Sequence, residues 1–167
     1  MALRFNEEEY MTAAREHFAE VDHMVSEGIQ HYPLAYYLTG VSVECLLRAY
    51  MVLVGATFDE KHDLRKLAQS SQFFSFMPSG QREELEDALA EVYKRWDNGI
   101  RYCSKTRLRR FLVAPDEGSG ALTIGQNQRP IKGDLVVYHW DILYKSSDRI
   151  ITWGVNKWET SKAKWNG

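Results

Sequence analysis

The stretch from Pro33 to about Gly55 most constrains the fold, because its apolar residues leave almost no polar face. Pro33 suits the first turn of a helix, where its missing N–H would have had no partner. A helix that is apolar on most sides needs neighbours all around it. The pattern therefore predicts a central helix. Its apolar side chains are those of Tyr36, Tyr37, Val41, Val43, Leu46, Leu47, Tyr50, Met51 and Leu53.

Further helices are predicted around this central one. Asn6 and Glu9 form a capping pattern that begins a helix running to about Glu27. Apolar side chains at three- and four-residue spacing indicate three more helices. These run from Asp59 to about Gln72, from the Pro78-Ser79-Gly80 break through Ile100, and from Leu135 to about Trp153. We expect an all-α fold, an antiparallel up-and-down bundle of about five helices.

The 167 residues suffice for one domain with a single core. We expect that domain to span residues 1–158. An exposed connector is predicted at about 113–133, because this stretch is rich in Gly, Pro, Asn and Asp and has no helical period. Residues 159–167 are expected to form a loose C-terminal tail.

Membrane insertion and secretion are not expected. The longest strongly apolar run, Leu46 to Gly55, contains Arg48 and is about half of the roughly 20 residues that a bilayer span needs. The N-terminus lacks the apolar region of a secretory signal, so the cytoplasm is the expected location. Cys45 and Cys103 lie 58 positions apart outside any CxxC pattern and are expected to be reduced packing residues.

The charge of the chain is unevenly distributed. Residues 1–93 carry 7 basic and 16 acidic side chains, whereas residues 94–167 carry 14 basic and 7 acidic ones. Such asymmetry suggests a contact face for an anion or an acidic partner. The structural alternative is packing between the two halves, or between two copies in a dimer.

Two ionic residues interrupt the apolar central helix. Glu44 and Arg48 lie four positions apart, the spacing at which a carboxylate and a guanidinium pair on one face. They form either a satisfied internal pair or part of a cleft. Further on, His62 precedes Asp63, whose carboxylate could orient the imidazole for proton transfer. The alternative for His62 is a plain hydrogen bond at the start of a helix.

A basic run with aromatic flanks is the main nucleic-acid signal in the chain. Cations of this kind track a phosphate backbone, and aromatic rings stack on bases. The expected RNA or nucleotide contacts are Arg95, Arg101, Tyr102, Lys105, Arg107, Arg109 and Arg110. The sequence pI near 6.2 is well below that of strongly basic nucleic-acid-binding domains. A contact with an acidic helix of a protein partner or a second copy is the alternative.

The order of three segments resembles the HEPN family of small helical domains. The segments are YYLTGVSVECLLRAYMVLVG, which carries Glu44 and Arg48; KHDLRKL, which carries His62 and Asp63; and RWDNGIRYCS, which carries Arg95 and Arg101. The resemblance implies a dimer whose arginine-bearing helices face one cleft that binds RNA or a nucleotide. It also implies that Glu44, Arg48, His62 and Asp63 shape this cleft.

Many members of that family cleave RNA with an arginine followed, after four to six residues, by a histidine. Here none of the corresponding positions is a histidine. They are Ile100, Arg101 and Tyr102 after Arg95, and Thr106, Arg107 and Leu108 after Arg101. Because arginine stays protonated, Arg101 cannot act as the proton carrier.

The resemblance therefore implies a non-catalytic member that binds RNA, a nucleotide phosphate or a partner nucleotidyltransferase in a toxin–antitoxin-like or substrate-binding role. The alternatives are a divergent ribonuclease that uses His62 as its proton carrier and a helical protein-interaction module. No metal site or cofactor is expected, since the five histidines and two cysteines lack metal-ligand spacing.

Overall fold

The computed structural model describes residues 5–30, 32–57, 61–113 and 134–166. The prediction of an all-α protein is confirmed, since the regular elements of these residues are helices and none is a strand. The α-helices are α1 (Glu7–Ser26), α2 (Pro33–Leu53), α3 (Leu64–Ser70), α4 (Ser79–Arg95), α5 (Lys105–Val113) and α6 (Leu135–Asn166). Two short 3₁₀ helices, Phe73–Phe76 and Asn98–Tyr102, follow α3 and α4.

Local capping rules explain where several helices begin. The Asn6 side chain accepts a hydrogen bond from the Glu9 amide at 2.9 Å, and the Glu9 carboxylate accepts one from the Asn6 amide at 2.7 Å. This reciprocal pair satisfies two amides that α1 itself leaves free. Asp63 caps α3 without a reciprocal bond, with its Oδ1 accepting from the amides of Arg65 and Lys66.

Helix α2 is the centre of the bundle, as its all-round apolar pattern predicts. Fourteen of its 21 residues are buried. The Tyr36 hydroxyl donates to the Val136 carbonyl, and the Tyr50 hydroxyl donates to the Gly154 carbonyl at 2.9 Å. The first bond joins the beginning of α2 to the beginning of α6. The second joins the end of α2 to the later part of α6. The two helices therefore run in the same direction.

Helices α1 and α4 run opposite to α6. At one end of the molecule Lys162 donates to Glu8 at 2.5 Å, and towards the other end Tyr144 donates to Asp22 at 2.8 Å. On α4, the Gln81 side chain accepts from the Trp153 indole at 3.0 Å. The result is a bundle in which α1, α2, α4 and α6 share one core.

Helix α4 is shorter than the sequence pattern predicts. Its apolar stripe was expected to continue through Ile100, but α4 ends at Arg95 and the backbone is extended at Trp96. Asp97 then caps a 3₁₀ helix by accepting from the Gly99 amide at 2.7 Å. Trp96 and Ile100 are nevertheless buried, because this turn continues to pack on α2.

The expectations for α3 and α6 also need correction. The structure places the beginning of α3 at Leu64, after its Asp63 cap, not at Asp59. Helix α6 does not end near Trp153, and the tail predicted to be loose is helical through Asn166. Trp158 and Ser161 are buried in this part of α6, so packing holds it in place.

Helix α5 was not predicted as a separate helix. Its charged positions dominate the segment and leave only a narrow apolar stripe, with Leu108 and Leu112 buried. The predicted connector lies almost entirely outside the described residues. None of the described helices combines the length and apolarity needed to cross a bilayer.

Candidate nucleic-acid interface

Six of the seven residues predicted to contact RNA or a nucleotide, five cations and the Tyr102 ring, are exposed around the start of α5. Burial of Trp96 and Ile100 fixes the preceding 3₁₀ helix, and the Ser104 hydroxyl then accepts from the Arg107 amide at 3.2 Å at the beginning of α5. Because Leu108 and Leu112 face the core, the charged positions of α5 face outward. We call the exposed cations here the basic surface: Arg101, Lys105, Arg107, Arg109 and Arg110.

One cation of the basic surface is partly neutralised. The Arg109 guanidinium donates to the Asp134 carboxylate at 2.7 Å, and both side chains are about half exposed. In contrast, Arg101, Lys105, Arg107 and Arg110 make no ion pair with any carboxylate of the described residues. The basic surface therefore keeps most of its positive charge available for an external anion.

Two aromatic rings accompany these cations. The Arg101 guanidinium carbon lies 4.7 Å from the centroid of the Tyr102 ring, and the Lys105 ammonium lies 3.5 Å from the centroid of the Tyr32 ring. Tyr102 is 79% exposed and Tyr32 is 48% exposed. The two cation–π contacts hold a positive charge beside each exposed ring.

Two clefts flank α5. The first cleft has a volume of about 330 Å³. Its lining includes Arg107, Arg110, Asp97, Ile100 and Phe111. The other, of about 440 Å³, lies between α5 and the beginning of α6 and is lined by Lys105, Thr106, Arg109, Asp134, Val136 and Val137. Both place cations beside apolar surface.

Arg95 does not share this surface. Its side chain is buried, and Nη1 donates to the Glu91 carbonyl at 3.1 Å and to the Glu91 carboxylate at 2.5 Å. Its Nε is buried without a hydrogen-bond partner among the described residues. The sequence left open whether a break near Gly99 brings Arg95 and Arg101 together. The break is present, but Arg95 lies inside the bundle and Arg101 lies outside.

His139 of α6 lies in the same buried polar region as Arg95. Its Nδ1 is buried and has no hydrogen-bond partner in the described part of the chain. The pKa of His139 is lowered to about 4, mainly by burial and also by the Arg95 guanidinium, and Glu91 partly offsets these two effects. The imidazole is therefore neutral at pH 7. Because Arg95 and His139 are 44 positions apart, no local sequence pattern predicts their proximity.

Glu44 and Arg48 of α2 form a second cluster with His62, which precedes α3. Arg48 Nε donates to Glu44 Oε1 at 2.8 Å, which confirms the predicted pair, and Arg48 also donates to the Lys61 carbonyl at 3.2 Å. Both Glu44 carboxylate oxygens lie 2.9 Å from His62 Nδ1. Since an ionised carboxylate only accepts, Nδ1 carries the hydrogen.

Glu44 therefore orients His62, whereas the sequence had suggested Asp63 for this role. Asp63 instead caps α3 with its carboxylate. The Glu44 and Arg48 side chains are buried, whereas the His62 side chain is 42% exposed. His62 Nε2 makes no hydrogen bond with a described residue.

The two clusters lie at different levels of the bundle. Tyr32, which contacts Lys105, caps α2, and Glu44 follows it by twelve residues. At 1.5 Å per residue this is about 18 Å along the helix axis. No hydrogen bond, ion pair or ring contact within the described residues joins the Glu44–His62 pair to the basic surface. Within one chain, the Glu44–His62 pair and the basic surface are therefore two separate clusters.

The sequence did not indicate a cleft between α3 and α4. The volume of this cleft is about 500 Å³, and its lining includes Leu89 and Phe74. The Arg65 guanidinium lies 4.0 Å from the centroid of the Tyr93 ring at its edge, and Arg82 pairs there with Glu86 at 2.7 Å. Glu86 neutralises Arg82, so this cleft has a single cation, Arg65, without a carboxylate partner among the described residues, whereas the basic surface has four.

The described residues contain no group of three or more His, Cys, Asp or Glu side chains placed to hold a metal ion.

Comparison with known proteins found no matching family model, no matching curated protein and no matching solved structure.

Proposed function

We propose that this protein is a HEPN-like helical domain that binds RNA or a nucleotide phosphate without catalysing a reaction. The observation that carries the proposal is the set of four exposed cations, Arg101, Lys105, Arg107 and Arg110, that have no carboxylate partner among the described residues. Phosphate oxygens are natural partners for such groups, because a guanidinium donates two parallel hydrogen bonds to them.

The number of free cations predicts a modest salt dependence. Each phosphate contact with single-stranded nucleic acid contributes a slope of about −0.7 to the plot of log affinity against log salt concentration. Four contacts give a slope of about −3. A nucleotide held by one or two cations gives a correspondingly smaller slope.

The test is retention of a labelled mixed RNA pool at two salt concentrations. The double variant Arg107→Gln and Arg110→Gln removes two charges at one cleft. It is expected to make the slope less negative by about 1.4. Arg82→Gln is the matched control, because Arg82 is also an exposed arginine but already pairs with Glu86. Absence of retention at low salt would contradict the proposal and favour a protein partner, such as a nucleotidyltransferase.

A divergent ribonuclease is a second candidate, favoured by the Glu44–His62 pair. A buried carboxylate fixes the hydrogen of His62 on Nδ1, while Nε2 makes no hydrogen bond with a described residue and the side chain is partly exposed, an arrangement suited to a proton carrier. If wild type cleaves RNA and His62→Ala does not, this candidate replaces the first. His23→Ala is the control, since His23 is an exposed histidine on α1. An intact RNA pool after incubation with wild type would support the non-catalytic function.

A further inference from the structure

Phosphate contacts alone leave the exposed aromatic rings of this surface without a role. Tyr102 is the most exposed large apolar side chain of the described residues, and Tyr32 is about half exposed. Each ring has a cation against it, Arg101 in one case and Lys105 in the other. We call these two arrangements the ring–cation pairs.

More exposed apolar surface surrounds the ring–cation pairs. Tyr32 is linked to the Ile29 carbonyl through its amide, and the exposed side chains of Ile29 and Leu34 flank it in sequence. Val137, also exposed, lines the same cleft as Lys105. Apolar patches bordered by charge commonly mark binding sites.

We propose, resting on the function proposed above, that the ligand of this surface is single-stranded RNA, held by base stacking on Tyr102 and Tyr32. Each ring–cation pair places a flat apolar surface beside a positive charge, the combination that a base and its phosphate require. Two such pairs adjoin the start of α5, so the surface offers more than one nucleotide position. This favours a strand over a single nucleotide.

The same geometry disfavours a duplex. In a double helix the base faces are stacked on one another and cannot reach the tyrosine rings, which leaves only phosphates and sugars to contact the protein. An unpaired strand can present both its bases and its phosphates. The free charge of Arg107 and Arg110 in the neighbouring cleft complements the continuing backbone of such a strand.

The experiment compares two labelled 20-nucleotide RNAs of identical base composition, one unpaired and one folded as a hairpin, by fluorescence anisotropy. Both carry the same number of phosphates, and the hairpin has the higher charge density, so charge alone does not favour the unpaired RNA. With about 10-fold from stacking on each of the two rings, we expect the unpaired RNA to bind about 100-fold more tightly. A mononucleotide that displaces the unpaired RNA at an equal nucleotide concentration would overturn the assignment of a strand.

Tyr102→Leu and Tyr32→Leu test the rings themselves. Leucine keeps an apolar side chain but cannot stack, and Tyr32 caps α2 without a side-chain hydrogen bond. Each variant is expected to weaken binding of the unpaired RNA about 10-fold and to leave hairpin binding unchanged. Trp165→Leu is the control, because Trp165 is an exposed aromatic at the opposite end of the bundle, against Phe76.

The failures of the two proposals are distinguishable. Arg107→Gln is expected to weaken binding of both RNAs, and no binding of either RNA would overturn both proposals. Equal binding of the unpaired RNA and the hairpin, with the tyrosine variants behaving as wild type, would overturn the stacking proposal alone. In that case the phosphate-binding function would stand.

Discussion

At the scale of single residues, Gly40 shows how closely two elements approach. A Cβ atom at this position of α2 would lie 2.1 Å from the Trp96 ring, whose indole N–H donates to the Tyr37 carbonyl at 3.1 Å. Gly40→Ala is therefore expected to destabilise the fold by about 1–3 kcal/mol, because the ring must move. Urea denaturation measures the change.

Gly80→Ala is the matched control for Gly40→Ala. Gly80 also lies in a helix, the first turn of α4, but nothing lies within 4 Å of a Cβ built there. Alanine at this position is expected to leave stability unchanged or raise it by up to about 1 kcal/mol. Equal effects of the two substitutions would contradict the close contact between α2 and Trp96.

The buried Glu44–Arg48 pair gives a second prediction at the residue scale. Glu44→Met removes the carboxylate that faces a buried guanidinium and orients His62. Breaking a buried pair in this way costs about 3–5 kcal/mol, whereas replacing both partners with apolar residues is close to neutral. Glu44→Met combined with Arg48→Met is therefore expected to recover most of the stability lost. Urea unfolding of the single and double variants tests this; an additive loss would contradict it.

At the scale of elements, local signals located the beginnings of helices better than their ends. The Asn6–Glu9 capping pattern and Pro33 act within the first turn of a helix, so sequence spacing alone reveals them. Asp63 is a cap of the same local kind, but the sequence prediction began α3 at Asp59. The end of α6 depends on distant packing. Small residues at buried positions, Gly154 and Ser161, dilute its apolar stripe there.

The candidate site was predictable to the same limited degree. The Glu44–Arg48 pair follows from four-residue spacing on one helix. Contact between Glu44 and His62 depends on how the chain returns from α2 to α3, and burial of Arg95 depends on how α4 packs in the bundle. Both depend on packing between distant elements and leave no local signal in the sequence. The sequence therefore could not show that these residues form two separate clusters within one chain.

Packing of the last turns of α6 gives a prediction at the element scale. The Trp158 ring is fully buried, with its centroid 5.1 Å from that of Tyr50, and its indole donates to Glu8 at 3.1 Å. Trp158→Ala is expected to cost about 3–5 kcal/mol in denaturant unfolding. Trp165→Ala, at an exposed position of the same helix, should cost far less. Similar losses would mean that the end of α6 does not pack as described.

At the scale of the whole molecule, acid is expected to destabilise the fold in two pH ranges. The pKa of His139 is lowered from its ordinary 6.5 to about 4, mainly by burial. The pKa of Glu8 is lowered mainly by its hydrogen bond with Lys162, and that of Glu91 is lowered by Lys94 and Arg95 against the opposing effect of burial. All three groups thus bind protons more weakly in the folded protein than in the unfolded chain.

The sign of each effect follows from linkage. Above pH 6.5 His139 is neutral in both states; between pH 6.5 and about 4 only the unfolded chain gains the proton, so stability falls by up to about 3 kcal/mol. The carboxylates stabilise the fold above about pH 4.5, and this contribution is lost as the pH falls further.

His139→Phe separates the two ranges, because it removes the titrating group and the unpartnered Nδ1 while keeping a ring of similar size. The variant should gain stability relative to wild type as the pH falls from 7 to 4, and the difference should then stay constant, since the carboxylates act equally in both proteins. Urea unfolding at half-unit pH intervals measures the difference. A difference independent of pH would mean that His139 takes up a proton as readily in the bundle as in the unfolded chain, and that the buried region around Arg95 admits water.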